Sequence, residues 1–128
     1  IIGIAKIAEE LYNNSIQLKK YNCNKLLFKN NRISLEKELY EMQPQINEII
    51  CLLKNNPDYS NEHIKLAIFM SNQITECISL LNTKEKNYRN TVKKYVFGFH
   101  NLPRAFLPLS NSMCISPDEA IKYYKSYL

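Results

Sequence analysis

Apolar positions recur at spacings of three and four along most of the chain, the period of a helix face. Ile4, Ala8, Leu11, Ser15 and Leu18 form a first stripe, and Ala5, Tyr12, Ile16, Cys23 and Leu27 continue it on an adjoining face. The pattern predicts one helix over residues 2–29. Asn13, Asn14 and Ser15, and again Asn22, Cys23 and Asn24, mark weak points, because such side chains compete for backbone hydrogen bonds, and an irregularity is expected near Asn22. Lys29, Asn30, Asn31 and Arg32 are expected to end the helix, where basic residues suit the negative pole.

A second seam, Leu35, Leu39, Met42, Ile46, Ile49 and Leu53, follows Ser34, which reads as an N-cap with Glu36 and Glu38 in the first turn. Pro44 lies inside this seam. The apolar phase is the same on both sides of it, which predicts a kinked helix and not two unrelated elements. Asn55, Asn56, Pro57 and Asp58 then spell a turn.

Ser60 caps the third segment, whose seam is Ile64, Ala67, Ser71, Ile74, Ile78 and Leu81, widened by Ile68, Met70 and Cys77. The phase runs on through Tyr88, Val92, Tyr95 and Phe99. One rod of about forty residues would span about 60 Å and overhang a compact domain. A break at Asn82 and Thr83 therefore predicts two helices, 61–81 and 84–99, with Thr83 capping the second. Leu102–Pro103 ends the pattern, and Pro103 opens a short turn to Leu107. Ser116, Pro117, Asp118 and Glu119 give the strongest helix start in the chain, an N-cap, an N1 proline and a capping box. Ala120, Ile121, Tyr124, Tyr127 and Leu128 are its expected buried face. Residues 119–128, EAIKYYKSYL, resemble the second helix of a tetratricopeptide repeat. No period of about 34 residues runs through the chain, so the likeness implies only a helix.

These elements predict an all-α fold, a single-domain antiparallel bundle of about five helices over residues 1–128, with the second helix and the third segment at its centre. The composition agrees. Two glycines are too few for the tight turns a sheet protein of 128 residues needs.

Charge changes the picture modestly. The net charge is +5, and 14 of the 17 basic residues are Lys. Arg is the residue that grips phosphate bidentately, so the balance alone ranks nucleic-acid binding below a solvated surface. The basic residues form two loose groups, Lys19, Lys20, Lys25, Lys29 and Arg32, then Lys84, Lys86, Arg89, Lys93 and Lys94. Cys23, Cys51, Cys77 and Cys114 show no CxxC spacing, and His63 and His100 no HExxH, so neither a metal nor another cofactor is expected. The even count permits two disulfides, but three of the cysteines fall inside apolar helical patterns, where a free thiol acts as a small hydrophobe, and this points to a reduced, cytoplasmic protein. No run approaches the length of a membrane span, and no signal-peptide pattern is visible, though the first residue is not Met.

No nucleotide-loop or nucleophile motif occurs, and catalysis is not expected. Residues 95–109 hold the candidate site. His100 and Arg104 at a helix end suit an anion or a small ligand, with Tyr95 as a wall. Phe97, Phe99 and Phe106 form either a partner-binding patch or a plug over one end of the core. By elimination, the sequence suggests a small intracellular helical protein that binds another protein, of regulatory or immunity type, or its own copy as a homodimer. A basic nucleic-acid binder, and a ligand binder or enzyme using His100 and Arg104, are the alternatives.

Overall fold

The computed structural model describes residues 3–128 and is all-helical over them. Five α-helices follow in order: α1 (Ile4–Gln17), α2 (Lys29–Leu53), α3 (Asn61–Thr83), α4 (Tyr88–Gly98) and α5 (Pro117–Lys125). Four 3₁₀ turns, Leu18–Lys20, Lys25–Leu27, Phe99–Asn101 and Pro103–Phe106, link them. One cluster of buried apolar side chains runs through all five helices.

α2 and α3 form the centre. Leu35, Leu39, Met42, Ile46, Ile49 and Leu53 are all buried, as the seam predicts. α2 is unbroken across Pro44, whose ring faces solvent. The 54–60 turn returns the chain along α2, so the two seams face each other. In α3 the buried set is Leu66, Ala67, Met70, Ile74, Cys77, Ile78 and Leu81. Ile64 and Ser71 are only half-buried and Ile68 is exposed. The face is rotated from the expected one because α3 packs against α4 and α5 as well as α2. Its cap is the expected Ser60, but the capping-box acceptor is His63 Nδ1, which takes the Ser60 N–H at 3.2 Å.

The first prediction needs correcting. The expected start at Ile2 lies outside the described residues, and the helix stops at Gln17, far short of Lys29. Tyr21 is extended (φ −84, ψ 106), and Asn22 Oδ1 accepts the Lys25 N–H at 2.9 Å, the local competition that ends a helix. Residues 29–32 open α2 and do not close α1; Ser34 lies inside α2 and caps nothing. Their polar side chains reach back over the turn. Arg32 Nη1 donates to the carbonyls of Leu26 (3.0 Å) and Leu27 (2.8 Å), and Asn31 donates to Lys25 (2.9 Å).

The third segment is two helices, as expected, but Thr83 ends α3 and does not cap α4. The reversal uses two left-handed residues, Lys84 (φ 53) and Asn87 (φ 64). Pro103 opens a short turn and Ser116 caps α5 with Glu119, both as predicted. On α5 only Ala120 and Tyr124 are fully buried. Ile121 is half-buried, and Tyr127 and Leu128 are exposed.

Candidate functional site

The fold divides the residues singled out at 95–109. Phe99 and Phe106 are fully buried. Phe99 stacks on Tyr124 with ring centroids 5.7 Å apart and planes 6° apart, and Tyr95 stacks on Phe99 at 6.4 Å with planes 30° apart. Phe106 packs against Tyr59 and His63. These rings close one end of the core. Phe97 alone of the three phenylalanines turns outward, 39% exposed.

His100 is buried between Tyr12 of α1 and Tyr127, and its Nδ1 makes no hydrogen bond. Burial, with Lys19 and Arg104 acting the same way, lowers its pKa from 6.5 to about 4. It is a neutral core imidazole at ordinary pH. Arg104 is taken up elsewhere. It donates to the Met113 carbonyl at 2.8 Å and Asn101 Oδ1 at 3.2 Å, and lies over the Tyr123 ring at 5.5 Å. His100 and Arg104 therefore hold different neighbours and line none of the cavities named below.

A cavity of about 910 Å³ opens between the start of α1, Tyr59, His63, residues 105–116 and the first turn of α5. It contains the Cys114 thiol, which burial pushes above its usual pKa, so it is not an activated nucleophile. His63 there is held neutral by burial as well. Among the described residues, no group of three or more His, Cys, Asp or Glu side chains is gathered for a metal ion. All four cysteines are free.

The most coherent arrangement of charge lies across α4. Residues 11–35 hold five basic and no acidic residues, and residues 77–117 hold six basic residues with Glu85 as their one acid. The fold packs these two stretches together. The Leu18–Lys20 turn lies on α4, and Cys23 Sγ donates to Asn90 Oδ1 at 2.9 Å. Lys84 stands between two clefts. One, of about 130 Å³, it shares with Lys29, Arg32 and Glu36; the other, of about 230 Å³, with Glu85, Asn87 and Arg89 at the start of α4.

From there the outer face of α4 continues as Arg89, Asn90, Lys93, Lys94 and Phe97, all exposed. Val92 and Val96 anchor the inner face. At about 1.5 Å per residue, the 11 residues of α4 make this strip about 16 Å long. The ion pairs among the described residues are Lys20–Glu38 and Lys65–Glu62. Lys84, Lys86, Arg89, Lys93 and Lys94 thus have no carboxylate within 4.0 Å there. The first turns of α2 and α4 carry Lys29, Arg32 and Arg89 and no acid. Cations at a positive helix pole oppose the dipole, so these ends raise the local positive potential instead of neutralising it.

Sequence reasoning named both basic groups but not their union, and it missed the parts that Lys84 and Tyr127 play. One usable signal was Gly98, since a glycine inside a helical pattern is placed there at a cost, and at this one a Cβ would meet Tyr127 and Tyr124. No protein-family model, curated protein or solved structure matches this chain.

Proposed function

We propose that this protein is a binding module whose α4 face engages a nucleic-acid backbone. The observation that carries the reading is the union of two acid-poor basic stretches into one unpaired strip, from Lys29 and Lys84 to Lys94. Phosphates paired with such a strip release counterions, so affinity depends steeply on salt. Arg89, the one arginine not engaged with backbone carbonyls, is the side chain suited to a bidentate phosphate contact. The reading gives His100 and Arg104 no part in a reaction. It is tested by fluorescence anisotropy with a labelled oligonucleotide between 20 and 200 mM salt, both values being about the range in which such contacts are lost. Binding at low salt that collapses at high salt, and is abolished by Lys84→Ala/Arg89→Ala/Lys93→Ala, is the expected result. No binding at low salt defeats the reading.

A protein partner remains a second reading, favoured by a separate observation. Ile33, Tyr40 and Pro44 form an exposed stripe on α2, flanked by Glu36, Lys37 and Glu41, along a shallow groove of about 600 Å³. Size-exclusion chromatography with light scattering tests the homodimer form: a monomer at high concentration removes it.

A further inference from the structure

The basic strip ends on an aromatic step. Phe97, the last exposed residue of α4, lies beside Tyr127 from beyond the end of α5, with ring centroids 5.4 Å apart and planes at 61°. Both rings are over a third exposed, at 39% and 37%. They line a groove of about 370 Å³ together with Lys93 and Lys94. A third lysine joins from the other basic stretch: Lys19 Nζ is 5.1 Å from the centre of the Phe97 ring.

Gly98 makes this step. Its backbone is ordinary (φ −100, ψ −14), so no turn requires glycine there. A Cβ at that position would meet Tyr127 Cδ2 at 3.0 Å, Tyr124 Cδ1 at 3.1 Å and the Tyr124 carbonyl oxygen at 3.3 Å. The missing side chain lets the end of α5 descend onto α4 and bring Tyr127 beside Phe97. Glycine weakens a helix relative to Ala, and here it accompanies two aromatic side chains left over a third exposed.

We infer that Phe97 and Tyr127, rimmed by Lys93 and Lys94 and with Lys19 over the Phe97 ring, form a stacking subsite for an unpaired nucleobase, and hence that the nucleic acid bound is single-stranded. The inference rests on the reading of the α4 face given above. A duplex offers that face only phosphates, because its bases are paired and stacked inside. A single strand offers phosphates to the lysines and base faces to the rings. The lysine rim supplies the charge complementarity, and the groove lies within the range of small-ligand clefts, about 300–1,000 Å³. A lipid surface fits less well along α4, whose outer face from Arg89 to Lys94 is polar, although Leu27 and Phe28 are exposed beside Lys29 at the far end of the strip.

The test compares three labelled probes at low salt: a single-stranded oligothymidylate, an abasic strand of the same length and charge, and a duplex. Stacking on an aromatic platform changes affinity by about tenfold or more per base. The oligothymidylate is expected to bind at least about tenfold tighter than the abasic strand. Phe97→Leu and Tyr127→Leu, each at an exposed position and each retaining apolar volume, should remove that difference and leave the slope with salt unchanged. Circular dichroism confirms that each variant is folded. Equal binding of all three probes, unaffected by Phe97→Leu, overturns the stacking subsite while the polyanion reading stands. Binding to none of them overturns both. Vesicles containing phosphatidylserine serve as a fourth arm. Binding there that depends on Phe97, without preference for the intact strand, overturns the subsite in favour of a membrane surface.

Discussion

The α2–α3 pair and the outer face of α4 are built on opposite principles. In α2 the seam residues are all buried in the apolar core, and the exposed positions include Lys37, Glu41 and Glu48, so that charge of both signs is spread along it. On α4 the inner face is as well packed, but the outer one carries Arg89, Lys93 and Lys94 with no acid on the helix at all. Packing accounts for the buried seams of the first region, though not for Ile33, Tyr40 and Ile68, which stay exposed. It accounts for only half of the second. Residues that folding leaves unexplained, and that repel one another across a shared surface, are where a ligand is to be sought.

Substitutions separate the two regions by size of effect. Ile46→Ala, a fully buried seam position, should lower stability by about 2–5 kcal/mol in chemical denaturation. It should reduce any binding only in proportion to the fraction unfolded. A full-strength folded protein after this change would break the contrast.

Acid reaches the aromatic end of the core next. The folded protein holds His100 neutral down to about pH 4, whereas the unfolded chain protonates it near 6.5. Unfolding therefore takes up a proton between those values, and stability falls as pH drops through that window, by about 3 kcal/mol in all at about 1.36 kcal/mol per unit. His63, lowered for the same reason, adds in the same direction. The stabilisation is complete above about pH 6.5. Replacing His100 with Leu should flatten most of the slope in urea midpoints measured from pH 4 to 7; an unchanged slope would falsify this assignment.

Gly98→Ala comes third. The new methyl meets the Tyr124 carbonyl oxygen at 3.3 Å as well as two rings, so the end of α5 must give way. Strain of about 1–3 kcal/mol is expected, partly offset by the better helix propensity of Ala. Ser116→Ala removes the side-chain acceptor of the Glu119 N–H at 3.2 Å and should cost about 1 kcal/mol. Smallest of all is the triple change Lys84→Ala/Arg89→Ala/Lys93→Ala. Its three sites are exposed and free of ion pairs among the described residues, so stability should move by about 0.5 kcal/mol or less at each. A large loss of stability there would show that the strip is structural after all.

Much of the fold was legible because periodicity dominates it. The α2 seam could be read residue by residue, since one partner helix decides which face is buried. In α3 several partners share the decision, and Leu66 is buried where Ile64 was expected. The end of α1 was illegible for a different reason. Cys23 and Leu27 continue the helical spacing, but Asn22 captures the Lys25 N–H, a contact periodicity does not encode. The site was least visible. Its basic groups were plain in the sequence, yet only the packing of the Leu18–Lys20 turn on α4 and the Cys23–Asn90 hydrogen bond make them one surface. Conversely, His100 and Arg104 looked like chemistry because their types are rare in this chain, and core packing and carbonyl capping account for them.

The packing of α1 against the turns at Phe99–Asn101 and Pro103–Phe106 also orders events in time. The α2–α3 hairpin closes through local contacts, which form fast. The first helix has part of its docking surface only after some eighty further residues, counted from its end at Gln17 to Phe99, have been made. During synthesis it can dock on α2 first, but the part of its surface that meets these turns stays uncovered until the aromatic end arrives. Delayed closure of this kind leaves apolar surface open to capture. Truncations before residue 99 should therefore aggregate, although they contain the whole central pair.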